Sequence, residues 1–517
     1  MSLRKLVPRW RTLLLAALAA GLLFVAYPPA SLVVPSFVAM VPLLWALADE
    51  RARADAHVAR AGYWFGVIVN GAVLYWMVVA LWHFTPLSLL GYLASLLLVL
   101  GPLWALLAWA IVRVERRTTL PLWVSFPLLW TAVEWVLGHL SDIRFPWLGL
   151  GTSLVRVPVL VQWADLAGAR GVTLWLAWAN ALVFLALRTR RWRRPAAGLA
   201  ASLALALAYG VWRERTLVMR PVAKVAVVQP NVGYDEKREN RENRAALDSL
   251  VRELMDLTRQ ARRDPTVDLV AWPEAAVPHY FYVFPYWEAW IDSLARGLRT
   301  PVLAGGLDVV FAPDGSYEYY NAAFLFDTAG SARDWPVYHK RYLVPIVERV
   351  PFLNPRWFGN LKWFGGYGKG RVFPVYRIAQ GGFGVLICYE SAFEDLARRY
   401  RRDGADFLVN ITNDAWFGRT AAPYQHASHL VMRAIETRMG IARAANTGIS
   451  EFVDPLGRTH LATPLMVERV EAAQVLTSDV RTPYVRWGDW TGLLGLVGAA
   501  ACLIAAQLRR IPQGGDA

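Results

Sequence analysis

Three polar residues each stand at the end of an apolar run in the second half of this 517-residue chain. Glu274 closes "LVAWPE", Lys340 sits in "VYHKRYLVP", and Cys388 follows "GVLI" in "GVLICYESAF". Cys388 is one of two cysteines in the chain. A thiol at a strand–helix junction meets the N–H groups of a helix start, which favour the thiolate. A carboxylate at the end of an apolar strand is costly unless it has a partner or a task. Each residue alone has an ordinary reading: a buried structural cysteine, a solvated strand-end acid, a surface lysine. Together they can do acyl transfer. A thiol attacks a carbonyl, a carboxylate takes its proton, and an ammonium stabilises the oxyanion.

Such residues need strands to carry them. Short β-like runs recur between about 218 and 482: "AKVAVVQPN", "VDLVAWPE", "TPVLAGGLDVV", "NAAFLFD", "GFGVLICYE", "ADFLVNITND", "GIARAANTG" and "SEFVDPLG". Helical patterns lie between them. In 244–261, Leu247, Leu250, Val251, Leu254 and Leu257 repeat at helical spacing. A second helix is expected after Cys388, with Phe393, Leu396 and Tyr400 on one face, and a third over about 423–439. Alternating strands and helices predict an α/β or layered α+β domain. The segment 352–370, rich in Gly and aromatic residues, reads as a lid.

The rest of the chain is of another kind. Hydrophobic residues make up 56 % and charged residues 18 %, with 25 tryptophans, which is too apolar for a wholly soluble chain. Apolar runs near 12–28, 31–48, 61–82, 87–112, 119–138, 171–187, 196–212 and 488–508 approach the roughly 20 residues that a spanning helix needs. The first follows Arg4, Lys5, Arg9 and Arg11 as a signal peptide would, but more apolar runs follow at once. The organisation expected is a membrane domain of about seven helices over 1–217, a catalytic domain over 218–482, and a last helix with a tail over 483–517.

The charge of +15 does not read as nucleic-acid binding. Its basic residues crowd alternate loops: the N-terminus, Arg51, Arg53 and Arg60, then Arg113, Arg116 and Arg117, then "RTRRWRR" with Arg188, Arg190, Arg191, Arg193 and Arg194. The connections at 28–30 and 83–87 carry none, and 139–170 only Arg144, Arg156 and Arg170. This is the positive-inside pattern. It places both termini, with Arg509 and Arg510, in the cytoplasm and 218–482 outside. Trp487 and Trp490 fit an interfacial aromatic belt. Neither the two cysteines, one of them Cys502 in the last apolar run, nor the scattered histidines have metal spacing, so no metal or other cofactor is expected.

"AWPE", "YHKRYLVP" and "CYES" resemble the Glu–Lys–Cys motifs of the nitrilase, or carbon–nitrogen hydrolase, superfamily. "NITNDAWFG" and "RAIETRMGIARAANTG" resemble further segments of it. With seven expected spans before and one after, the whole chain resembles the apolipoprotein N-acyltransferases, a membrane-bound branch. The resemblance implies a four-layer αββα sandwich attached to a helical membrane domain of about eight spans in the bacterial inner membrane. It implies Cys388 as nucleophile, Glu274 as general base and Lys340 at the oxyanion. Glu348 matches an additional active-site glutamate, and Tyr389, Glu390, Asn413, Trp416 and Phe417 match residues lining the site. The implied reaction moves an acyl chain from a phospholipid, typically phosphatidylethanolamine, to the α-amine of a lipoprotein's diacylglyceryl-cysteine. Two segments depart from the pattern: Val347 stands where glycine is expected in "LVPIVERVP", and "DEKREN" lacks a tryptophan after its lysine.

Two other readings use the same residues. A membrane-anchored amidase would need one anchor rather than eight spans. A transporter would favour charges within the spans, where Glu134 in "TAVEWVL" is a candidate without companions.

Overall fold

The computed structural model describes residues 7–82, 88–329, 331–345, 347–349 and 366–508. The 83–87 connection, Arg509, Arg510 and most of the expected lid, 352–365, lie outside the described residues. The chain divides into two compact units, Met1–Arg215 with Asp489–Ala517, and Thr216–Gly488.

The first unit is helical. Among the described residues five helices are long and apolar enough to cross a membrane: Val33–Glu50, Leu89–Arg117, Ala164–Thr189, Arg193–Thr216 and Trp490–Leu508. A sixth is possible if Asp55–Val73 and Trp76–Trp82, bent by 65° at their junction, form one span. Trp10–Ala26 is apolar but has only 17 residues. Leu122–His139 is helical as well. The eight expected spans thus exceed what helix length and composition alone give.

Several buried polar groups in this unit are tied to partners. Glu134 accepts from Trp130 Nε1 at 2.9 Å, Leu150 N at 2.8 Å and the Thr173 hydroxyl at 2.8 Å. Its carboxylate therefore fastens the short helical turn Leu150–Leu154, which is a structural task rather than a transport one. Arg213 meets Asp165 at 2.7 Å, and Arg170 meets Asp489 at 2.7 Å. The Trp490 indole, expected at a lipid interface, donates to Leu166 O at 2.9 Å.

Among its described residues the second unit holds two six-stranded sheets. The first runs in the order β12–β1–β2–β3–β4–β5 and the second β11–β10–β9–β8–β7–β6. The strands are β1 (Arg220–Gln229), β2 (Leu269–Ala271), β3 (Val302–Phe311), β4 (Tyr317–Phe326), β5 (Tyr338–His339), β6 (Tyr376–Ile378), β7 (Gly381–Ile387), β8 (Phe407–Thr412), β9 (Ile441–Ala445), β10 (Glu451–Val453), β11 (Thr459–His460) and β12 (Arg469–Thr477). In each sheet the inner strands are parallel: β1–β2–β3 in one, β7–β8–β9 in the other. Parallel strands are covered on both faces and read as continuous apolar runs, as "FLVNIT" of β8 does, with every residue buried.

The sheets face each other, β1 against β9 and β4 against β7. Helices Arg244–Ala261 and Pro285–Leu298 pack on the outer face of the first through Leu250, Leu254, Trp287 and Ile291. Helices Glu394–Arg402 and Ala422–Thr437 lie on the second. The outcome is the αββα sandwich that the family resemblance implies. Helix Arg244–Ala261 buries all five residues chosen from its spacing, and Asn243 caps it by accepting from Ala245 N and Ala246 N.

Candidate active site

The ends of β2, β5 and β7 bring the three polar residues together. Glu274 follows β2 by three residues, Lys340 follows β5 directly, and Cys388 follows β7 directly. Two backbone features hold the turns. Ala275, after the glutamate, has φ +45°, and Cys388 itself has φ +51°. A left-handed conformation costs a residue with a Cβ about 1–2 kcal/mol, and such strain persists where the surrounding structure fixes it. Gly305 on β3 lets the Glu274 turn lie close. A Cβ there would come within 2.3 Å of Pro273 O and 2.8 Å of Glu274 Cα.

Lys340 is 1 % exposed and bonded to two carboxylates. Its Nζ donates to Glu274 Oε1 at 3.1 Å and Glu348 Oε1 at 2.8 Å. Asn321 on β4 makes the same pair of contacts from its Nδ2, at 2.6 Å and 3.1 Å. The outer oxygens are held by backbone, Glu274 Oε2 by Asn413 N at 2.9 Å and Glu348 Oε2 by Val344 N at 2.8 Å. Burial alone would push the lysine down. The charges of Glu274 and Glu348 outweigh it and hold the ammonium well above the usual lysine range. Burial likewise pushes Glu274 up, but Lys340 and the bonds from Asn321, Lys340 and Asn413 leave it below the ordinary glutamate value. The carboxylate is ionised at neutral pH.

Cys388 differs from expectation. It opens a short 3₁₀ turn, Cys388–Ala392, and the α-helix begins only at Glu394. No long helix start bears on the sulfur. Burial pushes the thiol up, the Glu274 carboxylate adds to this, and Lys340 only partly offsets it. Burial and the neighbouring carboxylate thus favour the neutral thiol.

The supporting residues fall into place unevenly. Glu390 is buried and accepts from Ile387 N (2.7 Å), the Tyr338 hydroxyl (2.8 Å), Arg341 N (2.6 Å) and Tyr342 N (3.1 Å). It clips the Cys388 turn to the chain that follows Lys340. Burial raises it to about 7 against the pull of those donors. Tyr389 is buried edge-to-face against Phe393. Asn413 binds Glu274 through its N–H and accepts from Asn446 Nδ2 at 2.9 Å. Trp416 packs on Tyr234, ring centroids 4.7 Å apart, and Phe417 meets His426 edge-on.

Several residues at the site escaped sequence reasoning. Asn321 opens the run "NAAFLFD" and looks like a turn residue; an amide at the head of an apolar strand was the signal to follow. Thr412 and Asp414, inside "NITNDAWFG", form a buried set with Arg443 and His426 behind the thiol. Lys237, in the departing "DEKREN" segment, donates to Glu274 O at 3.1 Å. Among the described residues no group of three or more His, Cys, Asp or Glu is arranged to hold a metal ion.

Two facing sheets with a thiol, an ammonium and a carboxylate at their strand ends, and Glu348 joined to the ammonium, make up a nitrilase-like module. Residues 224–483 match the carbon–nitrogen hydrolase family, and residues 19–182 match the apolipoprotein N-acyltransferase N-terminal domain. The chain is 34 % identical over 517 aligned residues to a Geobacter metallireducens protein named apolipoprotein N-acyltransferase, covering 98 % of this chain and 96 % of that one. Proteins of that name from Chlorobaculum tepidum (30 %, covering 96 % of each chain) and Brucella melitensis (31 %, covering 96 % of this chain and 95 % of that one) match likewise. This chain belongs to the apolipoprotein N-acyltransferase family.

Proposed function

We propose that the protein transfers an acyl chain from a phospholipid to the α-amine of the diacylglyceryl-cysteine at the N-terminus of apolipoproteins, through a thioester on Cys388. The observation that carries this reading is the Glu274–Lys340–Glu348 ion cluster beside the left-handed Cys388, in a chain of this family.

In the first half, the Cys388 sulfur attacks the ester carbonyl while Glu274 takes the thiol proton. The oxyanion is stabilised by the Lys340 ammonium. Collapse expels the lysophospholipid alkoxide, which takes the proton back from Glu274. In the second half, the acceptor amine attacks the thioester, Glu274 takes a proton from nitrogen, and the thiol is regenerated with the amide. Glu348 keeps Lys340 charged while Glu274 is transiently protonated. No step requires a cofactor.

The positive-inside pattern supports eight spans in a bacterial inner membrane, with the catalytic unit on the outer face. Labelling of a cysteine introduced at 235–245 in intact spheroplasts tests this placement, and protection there contradicts it. The acyl donor favoured is phosphatidylethanolamine-like. The test of function is a reaction of purified protein with labelled phospholipid and a diacylated lipopeptide. N-acylated peptide is expected. Release of free fatty acid with unmodified peptide would favour the membrane-anchored amidase instead.

A further inference from the structure

The amide of Asn321 has only one workable orientation. Both hydrogens of its Nδ2 are directed at carboxylate oxygens, Glu274 Oε1 and Glu348 Oε1. Turned the other way, its carbonyl would face two carboxylates with no hydrogen between them. Asn321 Oδ1 must therefore point away from the pair. It is buried and has no hydrogen-bond partner among the described residues. A buried carbonyl oxygen without a donor calls for an explanation, because such groups are nearly always satisfied.

The acyl-transfer chemistry, taken as proposed above, supplies a donor that fits. The two nucleophiles of the reaction differ in hydrogen count. A thiol has one hydrogen, and Glu274 takes it. A neutral primary amine has two, and Glu274 takes only one. In a site that excludes water the second N–H needs an acceptor, and it persists in the amide product. Lys340 cannot serve, being a cation with donors alone. The oxygens of Glu274 and Glu348 already accept from Lys340, Asn321 and the backbone.

We propose that Asn321 is an amine-recognition residue: Oδ1 accepts the second N–H of the acceptor amine while Glu274 removes the first, so the site prefers amines to other nucleophiles in the discharge step. The nitrogen lone pair forms the C–N bond as the C–S bond breaks. The proton taken by Glu274 passes to the departing sulfur.

The test uses full-length acyl-enzyme, formed from phospholipid and separated from excess donor. It is discharged in parallel by a diacylated lipopeptide, whose nucleophile is a primary amine, and by 2-mercaptoethanol, whose thiol has no second hydrogen. Asn321→Ala is expected to slow discharge by the amine at least tenfold more than discharge by the thiol. Equal slowing of both would overturn the proposal and leave Asn321 a structural bridge; unchanged rates would overturn it as well. Should Asn321→Ala form no adduct, the wild-type enzyme answers the same question with a lipopeptide bearing an N-methylated α-amine, which keeps one N–H. A rate at least tenfold below the primary amine is expected, and equal rates would overturn the proposal. If the wild type itself forms no acyl-enzyme, the proposed thioester route fails, which is a separate result.

Discussion

Lys340 Nζ lies 2.8 Å from Glu348 Oε1 and 3.1 Å from Glu274 Oε1. One buried ammonium thus serves two buried carboxylates, which together hold it charged. Removing the charge should be far worse than removing one acid. Lys340→Met leaves two uncompensated carboxylates and should lower stability by about 3–5 kcal/mol, with part of that loss recovered when Glu348→Gln is added. Chemical unfolding of the single and double variants checks the sign of the coupling. Lys340→Arg keeps the charge but is planar and bulkier. It should fold and lose most turnover, and near-normal turnover would make Lys340 a bystander.

The Cys388 thiol and the Glu274 carboxylate act on each other. Burial first and the Glu274 carboxylate second raise the Cys388 thiol, so at pH 8 its thiolate fraction should fall below that of a free thiol of pKa about 8.5. In Glu274→Gln the negative charge is gone, and the thiol pKa should move down. The pH midpoint of Cys388 alkylation should therefore shift to lower pH in this variant while acylation by phospholipid is lost. A midpoint that stays put or rises would mean that the carboxylate does not act on the sulfur.

The two cysteines should part cleanly. Cys502 is buried in the helix Trp490–Leu508 and packs there. Cys502→Ala should keep most activity, whereas Cys388→Ala should abolish it in the acyl-transfer assay. Equal loss would contradict the assignment of the thiol.

Much of this site was legible in the sequence because its residues break local rules. Glu274, Lys340 and Cys388 interrupt apolar runs, and an interruption at a strand end is visible without a structure. The helix Arg244–Ala261 was legible for the opposite reason, since its leucines keep a regular period. What stayed hidden depends on distant neighbours. Strand β12, "RVEAAQVLT", is half-exposed and charged and carries little strand signal. Helix Pro285–Leu298 is not among the helices expected from the sequence. The local sequence suggests a helix start that favours the thiolate, whereas burial and a carboxylate 114 positions away in the chain push the thiol up. Asn321 joins two acids that stand 47 and 27 residues from it, and no local pattern announces that. Of the departures from the family pattern, the "DEKREN" segment forms part of helix Tyr234–Glu242 and reaches Glu274 through Lys237.

The central claim is that an acyl chain rests on Cys388 between the two halves of the reaction. Its most direct test is intact-mass measurement of purified protein given phospholipid alone. One added acyl chain at Cys388 with release of lysophospholipid is expected, removed by neutral hydroxylamine and absent in Cys388→Ser and Glu274→Gln. N-acylated peptide forming with no acyl adduct on the enzyme would contradict the account and point to direct attack by the bound amine.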